Sequence, residues 1–301
     1  MIICKIRYGI VIYFVGALLA RLSDEMGGQT LLLLSLAVSH SIILGADVLA
    51  TLTVSAAVGG PLLGSLMDRT PQPGRVLAVT LSTYAIGFAL LATTLGHIPL
   101  WASLTVAWVV GSLTSTISGG WSSRLPDVVR ANHLGRASAV DAASYHIAGL
   151  AGPASAGLLV MAWSGVPVAM LLSVLILAAV PAAWQMPTVP RPENSTRRLW
   201  ATLWSGLRTS AISRTLRRAT LVSAVSYFGF GMISVIAPLV ALTTWGHAGF
   251  GGVLLSVLSV AALLITVIYQ MRRKTPPFRA EISGADPGGV NPAFPVARCI
   301  A

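Results

Sequence analysis

The chain has 301 residues, of which 55% are hydrophobic and only 10% charged. Soluble domains carry about 25% charged residues, so an ordinary water-facing globule is excluded, and 29 Gly with 17 Pro are too few and too scattered for a fibrous or disordered chain. A formal charge of +11 would suggest nucleic acid in a soluble protein; its placement along this chain gives it a different meaning.

A helix needs roughly 20 mostly apolar residues to cross the hydrocarbon core. Runs of that kind predict eight spans, near residues 10–38, 44–66, 76–96, 99–121, 138–162, 165–185, 219–245 and 249–271. They are continuously apolar and do not alternate, which excludes the strands of a membrane barrel. The expected fold class is all-α, a polytopic transmembrane helix bundle.

The first span is interrupted, because Arg21, Asp24 and Glu25 separate the apolar stretches Ile10–Ala20 and Thr30–Val38. It reads either as one long helix with a polar middle or as two crossings. A single helix puts every basic residue except Arg21 on one side. Those residues are Lys5 and Arg7, Arg69 and Arg75, Arg124, Arg130 and Arg136, the arginines from Arg191 to Arg218, and Arg272, Arg273, Lys274, Arg279 and Arg298. That asymmetry is the positive-inside pattern, and two crossings would destroy it. The expected placement is therefore multi-pass in the cell membrane, with both termini cytoplasmic, the lipid bilayer as partner and no nucleic acid. Trp101, Trp121, Trp163, Trp184 and Trp245 fall near predicted span ends, as in aromatic belts. The first apolar run leads directly into a second without an Ala-x-Ala-type site, so no cleavable signal peptide is expected.

Ionisable groups within a span are costly unless paired or hydrated, and are functional candidates for that reason. Arg21, Asp24 and Glu25 stand at i, i+3 and i+4, where Arg21 can pair with either acid. The spare carboxylate would then be a proton-coupling or substrate site; the alternative is an internal ion pair that only orients the first helix. Gly27 and Gly28 predict a break near the midplane, a usual place for transporter binding sites. In the fifth span Asp141 is a second candidate, with Tyr145 and His146 beside it; alternatively Asp141 caps the helix start with Ser138. Asp47 reads as a wet interfacial residue, while His40, His97 and His247 fall at outer ends without a role. Arg124 and Asp127 are expected to pair in an inner loop. Two cysteines at opposite ends, Cys4 and Cys299, give no disulfide framework or metal spacing. No clustered metal ligands, GxSxG elbow or P-loop occur, so neither an enzyme nor any cofactor or metal is expected.

Between the second and third spans stand Gly64, then Asp68-Arg69 four residues on, then Gly74 and Arg75. This resembles the signature loop of the major facilitator superfamily. Six spans, a long basic inner connection and further spans also resemble that family's plan. The resemblance implies a gating loop in which Asp68 docks on the end of a neighbouring helix as two bundles rock, with Gly64 permitting close helix approach. The departure is the insert of Pro71 and Pro73 around Gln72, which displaces Arg75. In the fifth span Gly152-Pro153 and Gly157 resemble an element of the family's exporters, with Ala156 in place of one Gly; it implies a helix bend, antiport and efflux. The fourth predicted span lacks the buried Arg of many proton-coupled members.

The family plan has twelve spans, so the resemblance divides the chain into a six-helix bundle over 1–185, a basic cytoplasmic connection over 186–218, two helices of an incomplete second bundle over 219–271 and a disordered tail over 272–301. The connection opens with Pro187, Pro190 and Pro192 and continues with Leu199, Leu203 and Leu207 among arginines; it reads as an interfacial helix or as a solvated linker. Loss of apolar character near Pro276 predicts a chain shortened after the eighth helix, by a frameshift, an early stop or a misplaced end. The expected function is secondary active transport of a small-molecule substrate by alternating access, with protons as coupling ion. The alternative is a truncated, non-transporting membrane protein.

Overall fold

The computed structural model describes residues 2–130, 133–188, 208 and 212–272. Among these the chain forms eight helices and no strand: α1 (Ile2–Ser39), α2 (Ile42–Arg69), α3 (Pro73–Thr94), α4 (Leu100–Val128), α5 (Leu134–Trp163), α6 (Gly165–Trp184), α7 (Arg214–Trp245) and α8 (Phe250–Arg272). The expected helix around Leu199–Leu207 lies outside the described residues, as does the expected tail over 272–301 apart from Arg272, which ends α8.

Six helices, α2 to α7, are long and apolar enough to cross a membrane. α1 has ample length but carries Arg21, Asp24 and Glu25 in its middle; in α8 the described apolar stretch, Phe250–Ala261, is shorter than a crossing. The joints follow local chemistry. The Ser41 hydroxyl accepts the Ile43 N–H at the start of α2, satisfying one orphan donor of the first turn. Pro73 opens α3, where a missing N–H costs nothing. Gly246 ends α7 at φ +75°, a left-handed cap that a side chain would strain.

Residues Met1–Ser259 form one compact unit, and Val260–Ala301 a second. Within the first, α1 packs against α2, α4, α5 and α6, α2 lies along α4, and α3 lies against α4 and α6. Trp121, Phe88, Leu77, Leu81, Leu91, Ile117 and Leu172 fill the centre. The outward positions are also apolar (Val79, Ile86, Val109 and Val174 among them), which suits hydrocarbon rather than water. Because every backbone polar group in lipid must be satisfied internally, helices alone among the described residues meet the need.

Three expectations about these helices are corrected. α1 runs unbroken through Gly27 and Gly28. Gly27 is small because the Phe88 ring lies 3.1 Å from where its Cβ would be, so the glycine serves packing and not a break. Gly64 is exposed, with nothing within 4 Å of a Cβ placed there; the close approaches of α2 to α4 fall at Gly59 and Gly60, one turn earlier. Trp121 is no belt residue. α4 continues to Val128, which leaves Trp121 two turns inside the helix and fully buried, whereas Trp101, Trp163, Trp184 and Trp245 are exposed.

Candidate functional site

α1, α4 and α5 meet around one buried guanidinium. Arg21, 2% exposed, extends from α1 toward α5, and its Nη1 lies 2.9 Å from Asp141 Oδ1. The same nitrogen donates to the Asp141 carbonyl at 3.2 Å and to the Ser144 hydroxyl. Nη2 donates to Ser122 of α4 at 2.9 Å, and Ser122 in turn donates to Asp141 Oδ2 at 2.5 Å. The Arg21 guanidinium carbon stands 3.8 Å above the centre of the Tyr145 ring, a cation–π arrangement. The Tyr145 hydroxyl donates to the Ser118 carbonyl at 2.5 Å. Two turns along α1, the Tyr13 hydroxyl donates to the Trp121 carbonyl, also at 2.5 Å.

The sequence points to Asp24 and Glu25 as partners of Arg21, and the structure pairs it with Asp141 instead. An i, i+4 bridge would leave the guanidinium half-satisfied, while α4 and α5 supply a carboxylate, two hydroxyls and a ring face at once. The same contacts correct the cap reading of Asp141: α5 starts at Leu134, two turns earlier, and Asp141 is buried inside the bundle. The fourth helix does hold a buried arginine, Arg124, beyond the predicted end of its span.

Asp24 and Glu25 take separate positions. Asp24, half-buried, faces α3, where the Tyr84 hydroxyl donates to its Oδ1 at 3.0 Å and Phe88 stacks on Tyr84 with ring centres 5.9 Å apart. Glu25 is exposed, and its Cβ lies 2.7 Å from where a Cβ on Gly152 of α5 would be. Among the described residues no cation reaches either carboxylate. His146 is exposed on α5 and does not join the cluster. No group of three His, Cys, Asp or Glu that could hold a metal occurs among the described residues.

A second polar site lies at the turn from α2 to α3. Asp68 and Arg69 are the last residues of α2, and Asp68 Oδ1 is 2.5 Å from Arg124 Nη2 at the end of α4. Asp127 lies 3.5 Å from Arg124 Nη1, one turn on in the same helix and not in a loop, as the sequence suggests. Pro126 does not end α4, which continues to Val128. Gly74 is buried in the first turn of α3, where the Ala183 carbonyl and Met186 leave no room for a side chain. The Arg75 guanidinium sits 5.5 Å from the centre of the Trp184 ring. Because the Asp68 side chain is 71% exposed, Asp68→Asn is expected to lower stability by no more than about 1 kcal/mol, read as a small drop in the SDS midpoint of unfolding; Arg124→Ala, which also abandons Asp127, should lower it further.

At Gly152, Pro153 and Gly157 α5 comes close to two other helices: Gly152 meets α1, and Gly157 meets Gly249, just before α8, and Gly252 in its first turn. Sequence reasoning missed Ser122, Ser144, Tyr84 and Ser256. Small polar residues in spans carry little signal on their own, and only a charged partner elsewhere in the chain gives them one.

The profile of the Major Facilitator Superfamily matches residues 8–280. An uncharacterized MFS-type transporter of Sinorhizobium fredii is 28% identical over 236 residues, which cover 77% of this chain and 57% of that relative. The chain thus spans little more than half the length of the curated relative it matches. With the helical bundle, the apolar spans and the family match over nearly the whole chain, this multi-pass membrane protein belongs to the Major Facilitator Superfamily.

Proposed function

We propose that this chain takes part in secondary active transport of a small molecule by alternating access, with protons as the coupling ion and export as the direction. One observation carries the reading: Arg21 is neutralised by Asp141, which leaves Asp24 and Glu25 as carboxylates in the middle of a membrane helix with no cation beside them among the described residues. Such groups are costly to keep charged in the membrane, and a carboxylate that gains and loses a proton as the path changes sides is the simplest use for them. In this reading Asp141, Tyr145 and Arg21 hold α1 to α4 and α5, His146 takes no part in the buried cluster, and Asp24 and Glu25 carry the coupling. The Asp68–Arg124 pair ties the end of α2 to the end of α4 and so supports access gating by holding the α2–α3 turn in place. Gly152, Pro153 and Gly157 support export, through their likeness to the exporter element. The asymmetry of the basic residues along the sequence supports cytoplasmic inner loops and termini and a plasma or inner membrane location.

The test is flux of a panel of labelled small solutes in everted vesicles with an imposed pH gradient. Asp24→Asn and Glu25→Gln are expected to abolish gradient-driven accumulation while leaving downhill exchange in place. Asp141→Asn should reduce both together, by loosening the bundle. If all three variants transport like the unaltered chain, the coupling reading is wrong; if the unaltered chain moves no solute at all, it is a non-transporting membrane protein.

A further inference from the structure

Pro153 lies inside α5 and has no N–H to give to the carbonyl one turn earlier, and its ring crowds that turn. The carbonyl deprived of that donor is that of Gly149, and the next pair along is the Leu150 carbonyl and the Ala154 N–H, two groups that a regular helix joins to each other directly. Both reach Ser256 of α8. The Ala154 N–H donates to Ser256 Oγ at 3.1 Å, and the Ser256 hydroxyl donates to the Leu150 carbonyl at 2.5 Å. One hydroxyl from another helix thus occupies both ends of a single helical turn, beside the proline.

It reaches that position because the seam holds almost no side chains. A Cβ on Gly252 would run into the Pro153 carbonyl, and one on Gly157 into the Gly249 carbonyl. Ser256 follows Gly252 by one turn and is 8% exposed, so water does not compete for these backbone groups. In a lipid-surrounded interior an unsatisfied peptide group is costly, so the bond is worth keeping.

We infer that Ser256 is a pin that holds the Pro153 turn of α5 against α8, so that this turn and the α5–α8 contact change together. The turn cannot rearrange, and α8 cannot slide, without withdrawing the hydroxyl from the Leu150 carbonyl and the Ala154 N–H. This coupling of two helices goes beyond the transport reading and does not depend on it.

Amide hydrogen exchange of the full chain in lipid nanodiscs, read on peptides covering residues 149–157, tests it without any transported solute. Ser256→Ala, which removes the hydroxyl and adds no bulk, is expected to speed exchange there about tenfold, the scale of losing two modest hydrogen bonds, with α1 to α4 unchanged. In a Pro153→Ala background, where position 153 regains its N–H and no ring crowds the turn, Leu150 and Ala154 can pair with each other and the same substitution should have little effect. Unchanged exchange in Ser256→Ala overturns the inference. So does a rise spread evenly over all helices, which would mean general loosening. An equal rise with and without Pro153 also overturns it, because the hydroxyl would then act independently of the proline.

Discussion

Asp141→Asn is expected to lower the stability of the folded chain by about 3 kcal/mol, the lower part of the range for breaking a buried ion pair by removing one partner. The low figure is appropriate because a chain unfolded within a membrane or detergent still finds some partners for its polar groups. The mechanism is the stranding of Arg21. With the carboxylate gone, a guanidinium that is 2% exposed keeps Ser122, Ser144 and the Tyr145 ring but has no countercharge. Arg21→Met should cost a similar amount, since it leaves Asp141 as the buried charge. The informative variant is the pair, Arg21→Met with Asp141→Leu. Replacing a buried ion pair by apolar side chains of similar volume is often neutral or stabilising, so the double variant should recover most of the loss. SDS titration followed by circular dichroism measures all three. A double variant no more stable than either single would mean that the hydroxyls and the ring, and not the charge, set the cost.

The second large effect is steric. Along α2 and α4 small residues face one another: a Cβ on Gly59 would lie 2.6 Å from the Ser112 Cα, and one on Gly111 2.6 Å from the Leu52 Cα. Ser115 adds a hydrogen bond across the seam, to the Ala56 carbonyl at 2.8 Å. Both obstacles are backbone, which has no rotamer to yield. Gly111→Val is therefore expected to destabilise by about 3 kcal/mol, the upper part of the usual overpacking range, by forcing two helices apart over their length. Gly119→Ala, on the same helix with nothing within 4 Å of the new Cβ, should raise stability by up to about 1 kcal/mol through helix propensity alone. Opposite signs for two glycines eight positions apart in one helix would separate packing from propensity; equal signs would sink the steric account.

Most of the helix bundle was legible in the sequence because a bilayer imposes a length and a polarity that can be counted. The misreadings have local causes. Ser122, Ser123 and Arg124 lower the apolarity of α4 before it ends, so hydropathy alone gives its last two turns to a loop and Trp121 to a belt. Helical periodicity reports only partners within a turn or so, and it therefore matches Arg21 to its near neighbours. Its actual partner is Asp141, on another helix, a separation that no local pattern encodes. The same limit hid Tyr84 from Asp24 and Ser256 from the Pro153 turn. What hydropathy could indicate was that charges in the first span need an explanation, and the structure supplies it from three other helices.

The Arg21–Asp141 bridge has a consequence for how the protein is made. The two residues are 120 positions apart, and at ribosomal rates of roughly 5–20 residues per second the arginine is synthesised about ten seconds before its aspartate. During that interval α1 carries an arginine and two acids with no finished bundle around them, at a cost of roughly 2.5–3.5 kcal/mol for each charge placed at a helix centre. Each of these charges weakens the drive of α1 to insert on its own, and the arginine stays without its countercharge until α5 arrives. Biogenesis of this chain should depend on how long that arginine goes unpaired, so slowing translation between the first and fifth helices would lower yield without changing the finished fold.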